Sequence, residues 1–109
     1  MSITMNLYYT GKNGSARKFA EEMESSGTAG LIRAEDGNER YEYFVPLRDP
    51  ETVLLIDQWR DQAAIDVHHA SPMMNTIAQL REKYDLHMKA ERYVSAEENE
   101  ADRQFLRKH

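Results

Sequence analysis

A handful of residues in this sequence have types and spacings suited to chemistry on a small molecule, and His68 is the first of them. It follows Ala64 by four positions and Ile65 by three, so on a helix its imidazole shares their apolar side. An inward imidazole titrating near neutral pH is a natural general base. A partly buried histidine bonded to a backbone carbonyl would look the same, and for a lone histidine that is the commoner role. His69 is adjacent and points to a different side of the helix, so the two do not read as a metal pair. Asp57 lies in an apolar stretch, where a carboxylate needs a partner. Two readings stay open for it: an ion pair with an arginine such as Arg33 or Arg92, or orientation of a site residue. Trp59, the single tryptophan, is wide enough to line a flat pocket, though filling core is its commoner use. Asn6 interrupts an apolar strand and could bond a ligand or a loop backbone. Tyr8, Tyr41 and Tyr43 could donate to a phenolic substrate, but tyrosine is also an ordinary strand residue. Met23, Met73, Met74 and Met88 imply an adaptable interior, either plain core or a tolerant pocket.

Recognised motifs are missing. The sequence has no GxGxxG, Walker A, GxSxG or HExxH, and its Asp, Glu and His residues show no metal-ligand spacing. No cofactor and no metal are therefore expected.

The elements that must hold these residues follow from pattern. Ile3 to Thr10 is rich in β-branched and aromatic residues and ends at the turn signal Gly11-Lys12-Asn13-Gly14, so it reads as a first strand. Helical spacing then puts Ala16, Phe19, Ala20, Met23, Leu31 and Ala34 on one stripe, with a bend or break expected near Gly27. Glu39 to Leu47 reads as strand two and Thr52 to Arg60 as strand three. The latter is so continuously apolar that burial on both faces is expected. A broken helix follows, with Ser71 as N-cap and Pro72 at the first position of its second piece. Met73, Ile77, Leu80 and Tyr84 continue the stripe. Leu86 to Val94 reads as strand four. The order β-α-β-β-α-β is the split ferredoxin-like α+β unit, with an antiparallel sheet. Residues 1–94 form that domain, and 95–109 an acidic extension that is either a short docking helix or a frayed tail. Helices cover only one face of such a sheet, so pairing of two sheets in a homodimer is the expected cover for the other.

Composition narrows the partners. At 109 residues there is room for one core. Without cysteine, disulfides and thiolate chemistry are excluded. A net charge of −5, from 19 acidic and 14 scattered basic residues, argues against nucleic acid. The small basic group Arg103, Arg107 and Lys108 reads as solvated surface. With no apolar run of membrane-spanning length and no signal-like N-terminus, the expected partners exclude a membrane and the expected location is the cytoplasm.

Three stretches carry a family resemblance. Residues 33–43 resemble the E-x-G-x-x-x-Y end of helix one in the antibiotic biosynthesis monooxygenase family; residues 49–59 resemble its D-P…E-x-W hairpin. Residues 63–72 resemble its A-L-x-x-H-x-x-[ST]-P helix. The resemblance implies a dimeric α/β barrel with a pocket between sheet and helices. It also implies oxygenation of phenols or quinols by O2 without metal or flavin. In that scheme His68 is the base, Trp59, Tyr43 and Asn6 line the pocket, and Asp57 and Met73 complete the substrate site. The expected ligands are a small aromatic substrate and O2. Two positions depart from the family pattern: Asp57 replaces its usual glutamate, and Met73 stands where a second histidine often follows. Haem-degrading relatives carry their tryptophan and histidine on the second helix, whereas Trp59 is on a strand, so haem is not expected. The alternatives are isomerisation of a small carbonyl compound, since some relatives isomerise phosphorylated diketones, or a dimeric ligand-binding protein without catalysis.

Overall fold

The sheet is built from β-branched and aromatic segments that alternate between two faces, and its connections decide which face is covered. In the computed structural model, which describes residues 1–106, the elements run β1 (Ile3–Thr10), α1 (Ser15–Ser25), α2 (Thr28–Arg33), β2 (Asn38–Phe44), β3 (Thr52–Trp59), α3 (Gln62–His69), α4 (Met73–Lys83) and β4 (His87–Val94). A 3-10 helix, Glu100–Phe105, ends the described chain. Spatial order in the sheet is β2-β3-β1-β4, and every neighbouring pair is antiparallel. This is the ferredoxin-like α+β fold, each of its helices split in two. Among the described residues no helix is long and apolar enough to cross a membrane.

The register puts Ile3, Met5, Leu7 and Tyr9 of β1 on one face with Leu55, Asp57 and Trp59 of β3. That face carries the helices and the core, in which Phe19, Met23, Ile32, Leu55 and Trp59 are wholly buried. The opposite face presents Thr4, Asn6, Tyr8, Leu54 and Ile56. Burial in β3 therefore alternates, with Leu54, Ile56 and Gln58 only half-buried. Two-sided burial, expected from the apolar run, is not what the single chain shows, because no helix crosses the second face.

Local chemistry explains the remaining departures. The first helix breaks at Gly27, whose φ of 83° suits a residue without Cβ. The break re-phases the stripe, so α2 buries Thr28, Ala29 and Ile32 while Leu31 turns outward. Strand β2 stops at Phe44, short of Pro46, which has no N–H for the ladder. Helix α4 starts without a side-chain cap: Ser71 caps nothing, and its buried hydroxyl lacks a partner among the described residues. In the tail, Phe105 and Leu106 are largely exposed. Arg103 pairs with Glu98, whereas Arg107 and Lys108 lie outside the described residues.

Candidate functional site

Between the helix-covered face of the sheet and α3 and α4 lies a cavity of about 240 Å³. Its apolar wall comes from the odd positions of β1 and β3, from β4, and from Ile65, Met74 and Ile77 on the helices. Into this wall are set two histidines, an aspartate and two arginines.

His68 is placed by a short chain of local causes. Two residues separate β3 from helix α3, and the Asp61 carboxylate caps the helix by accepting from the Ala64 N–H at 2.9 Å. That phase buries Ala64, Ile65 and His68 together. The imidazole stacks on the Trp59 indole, with ring centroids 4.7 Å apart and planes at 30°. Its Nδ1 lies 2.7 Å from Glu35 Oε1, and both side chains are largely shielded from solvent. A carboxylate can only accept, so Nδ1–H donates to it and the free electron pair of the neutral ring lies on Nε2. Glu35 is held by the turn leading into β2. There Gly37, at φ 88°, accepts a hydrogen bond from Arg60 N–H at 2.8 Å. A Cβ at Gly37 would come within 2.5 Å of the Ala64 Cβ. The spacing Glu35-x-Gly37 thus brings a carboxylate and the start of α3 to the same point.

Asp57 occupies the same wall from β3. It is buried, and its Oδ1 has no hydrogen-bond partner among the described residues. Burial pushes its carboxyl up to about 7, the neighbouring Trp59 draws it partly back, and Glu35 adds a further upward push. Tyr9 is raised to about 12 by burial, against a pull from Arg81. Burial likewise raises Tyr41 far above the usual phenol range. These tyrosines are neutral donors rather than bases. Among the described residues, no three His, Asp or Glu side chains converge as metal ligands would.

With a shielded His–Glu pair beside a tryptophan at a largely apolar cavity, the comparisons with known proteins have a geometry to meet. The family model for antibiotic biosynthesis monooxygenases matches residues 2–80. The chain belongs to the antibiotic biosynthesis monooxygenase family. A Deinococcus radiodurans protein assigned provisionally to the same family superposes with a TM-score of 0.76 at 20% identity, covering 91% of this chain and 96% of that one. SnoaB, a cofactor-independent oxygenase from Streptomyces nogalater solved as its N63A mutant, gives 0.74 at 14% identity, covering 89% and 95%. PA3566 of Pseudomonas aeruginosa gives 0.75 at 23% identity, covering 88% and 95%. At such identities the likeness establishes the fold. No curated protein matches the sequence.

Within this antibiotic biosynthesis monooxygenase fold, the residues singled out from sequence part company. His68, Trp59 and Asp57 line one cavity. Asn6 does not: it sits on the helix-free face, opposite Ile56 and Glu91, with a buried and unpartnered Oδ1. Tyr43 shares a face with Tyr41 but lies beside α1, lining a separate groove with Arg17 and Val53. Its hydroxyl donates to that of Tyr41 at 3.3 Å, so it reaches the cavity only through its neighbour. Met73 packs against the core, and the methionines at the cavity are Met5, Met74 and Met88. His69, read as facing elsewhere, reaches the cavity rim, its ring centroid 5.7 Å from that of His68. Neither arginine suggested for Asp57 pairs with it. Arg33 binds Glu24 and the Tyr41 carbonyl, and Arg92 donates to Gln62 Oε1 at 2.6 Å. Three residues escaped the sequence reading. Glu35 was visible only as the first letter of E-x-G. Tyr9 alternates with Leu7 and Met5, and Arg81 follows Ile77 by four and Met74 by seven, on the apolar stripe itself.

Proposed function

We propose that this chain is an oxygenase that deprotonates an acidic phenol or quinol in the cavity and lets the resulting anion reduce O2. The observation that carries this reading is the His68–Glu35 pair, 2.7 Å apart, with the His68 ring stacked on Trp59 at the wall of a largely apolar cavity. Nε2 takes the phenolic proton, and Glu35 stabilises the imidazolium that forms. The substrate anion gives one electron to O2, and the substrate radical and superoxide combine to form a carbon–oxygen bond. The imidazolium returns its proton to the peroxide anion. Loss of water, with the remaining C–H proton, cleaves the O–O bond and leaves a carbonyl. One oxygen atom thus enters the product, the other leaves as water with the phenolic and ring C–H hydrogens, and the ring C–H has become C=O. The apolar wall keeps bulk water from the anion. Asp57, protonated below about pH 7, supplies a second hydrogen-bond donor.

A homodimer through the helix-free face fits the half-buried Leu54 and Ile56 and the unpartnered Asn6 there. Light scattering on wild type and Ile56→Glu reads this directly: a dimer reduced to monomer by the substitution supports it, and a monomeric wild type removes it.

A second reading draws on Arg81 and Arg92 at the cavity, because isomerising a phosphorylated carbonyl compound needs a cationic contact beside the base. One experiment separates the two. Oxygen uptake is followed with a panel of hydroquinones and anthrones, on wild type and His68→Ala. Uptake that falls by about 10²–10⁴-fold in the variant, the contribution expected of a positioned base, supports the oxygenase. Uptake unchanged by the substitution removes His68 from catalysis, and silence across the panel favours isomerisation, which consumes no O2.

A further inference from the structure

The chain carries a net charge of −5, yet the cavity under α3 and α4 is lined by cationic and basic side chains. Arg81 enters from α4, Arg92 from β4, and His68 and His69 from α3; the single carboxylate in the wall is Asp57. Arg92 is occupied by Gln62. Arg81 is different. It forms no ion pair and no side-chain hydrogen bond with any described residue, and its Nε is buried without a partner. Asp57 does not neutralise it: a carboxylate held by a guanidinium is drawn down, whereas Asp57 is pushed up to about 7. Glu35 is committed to His68. Arg81 is half-buried, and its Nε–H, shut away beside the apolar wall without an acceptor, carries a cost that an acceptor bound in the cavity would remove.

We infer that Arg81 is the anchor of an anion subsite and that the cavity takes an aromatic acid, its carboxylate on Arg81 and its ring between Trp59 and the methionine-lined wall. The planar fork of arginine matches a carboxylate through two parallel hydrogen bonds. A phosphate dianion suits the wall less well, since phosphate sites recruit several backbone N–H groups or a helix N-terminus, and the partner of choice here is one side chain. The volume of about 240 Å³ falls below the roughly 300–1,000 Å³ of sites for drug-sized ligands, so one or two rings fit better than a polycycle. This deepens the oxygenase reading by naming the class of its substrate, and rests on that reading for the reaction but not for the binding.

The test is calorimetric titration under argon at pH 6, where Asp57 is largely protonated, with 1-hydroxy-2-naphthoate, its neutral amide 1-hydroxy-2-naphthamide, and 1-naphthyl phosphate. The expected result is that wild type prefers the acid over the amide by at least tenfold and over the phosphate. Arg81→Gln abolishes the acid preference, Arg81→Lys keeps part of it, and Arg48→Gln, at an exposed position away from the cavity, keeps all of it. Equal affinity for acid and amide in wild type overturns the inference without reference to any variant. So does tighter binding of the phosphate, or an acid preference that survives Arg81→Gln. Because argon excludes turnover, the two readings fail separately. Acid preference without any O2 uptake in air leaves the subsite and removes the oxygenase; uptake from neutral quinols with no acid preference does the reverse.

Discussion

One face of the sheet is covered by two pairs of helices, and the two halves of that interface are built to different standards. Under α1 and α2, Ala16, Phe19, Met23, Ala29 and Ile32 have no exposed surface at all. Tyr9 and Phe19 sit 4.8 Å apart by ring centroids, and Tyr43 meets Phe19 edge-on at 6.3 Å. Under α3 and α4 the same strands offer Met5, Leu7, Leu55 and Trp59, but the helices do not close onto them, and a cavity remains. Among the described residues, the buried polar atoms without a partner on this face all belong to the second half, on Asp57, Arg81 and Ser71. One half is a dry core that fixes the strands; the other spends packing on a space with charges in its wall. The difference is the physical content of a site, since close packing and an internal cavity exclude each other at the same place.

The contrast is sharpest in stability. Phe19→Ala deletes a wholly buried ring from the dry half and is expected to cost about 3–5 kcal/mol. Met74→Ala only enlarges a space that already exists, so it is expected to cost no more than about half as much while altering substrate affinity. Denaturant unfolding of both variants checks this. Equal losses would mean that the cavity half is packed as tightly as the other, and the comparison would fail.

Asp57 gives the next largest effect, and its sign is unusual for a carboxylate. Its folded value, about 7, stands above the ordinary 3.8, so the native state holds a proton that the unfolded chain has released. Stability therefore falls as pH rises between about 4 and 7. The three-unit difference corresponds to about 4 kcal/mol at most, because one unit is about 1.4 kcal/mol. Asp57→Asn removes the cost of ionisation, so the variant is expected to be about 2–4 kcal/mol more stable than wild type at pH 8 and only about 1 kcal/mol more stable at pH 4.5. Thermal melts at both values decide it. A gain that is independent of pH would show that Asp57 is not the titrating group.

How much of this could be read from sequence depends on what kind of signal each residue carries. The strands, their order and the helical stripe follow from periodicity, which records burial, and His68 follows from its place among Ala64 and Ile65. Asn6 was placed at the pocket although alternation puts it with Thr4 and Tyr8, across the sheet from Ile3, Met5 and Leu7. Both faces of β1 are partly apolar, so composition does not announce which one the helices cover. Tyr43 sits on the correct face but one step further along β2, in the dry half. Glu35 was out of reach for another reason. Its contact with His68 spans 33 residues and depends on a turn geometry that periodicity does not encode. Arg81 was legible in spacing and hidden by type, since a charged residue on a helix is normally read as solvated.

That turn geometry is open to a smaller perturbation. Gly37→Ala puts a side chain at φ 88°, which costs roughly 1–2 kcal/mol in the left-handed region, and its methyl would meet the Ala64 Cβ at 2.5 Å. Helix α3 must then shift by some tenths of an ångström, and His68 moves with it relative to Glu35. The expected outcome is a loss of about 2 kcal/mol in stability together with a drop in O2 uptake, although residue 37 touches no substrate. The second readout matters: lost stability with unchanged turnover would show that the Glu35–His68 distance is not what Gly37 protects.

The smallest expected effect separates a sequence rule from the structure directly. Ser71 before Pro72 reads as an N-cap, and replacing a capping serine by alanine ordinarily costs about 1 kcal/mol. In the structure the first turn of α4 is satisfied without it: the Ser71 carbonyl accepts from Met74 N–H at 3.2 Å and the Pro72 carbonyl from Asn75 N–H at 3.1 Å, while the hydroxyl is buried and unpartnered. An unsatisfied buried hydroxyl is a liability that alanine removes. Ser71→Ala should therefore leave stability unchanged or raise it by a few tenths of a kcal/mol, as read from chemical denaturation with the slope unchanged. A loss near 1 kcal/mol would show that the hydroxyl does cap α4. The cavity half would then be better bonded than its unpartnered groups imply, and the distance between the two halves of the molecule would narrow by that amount.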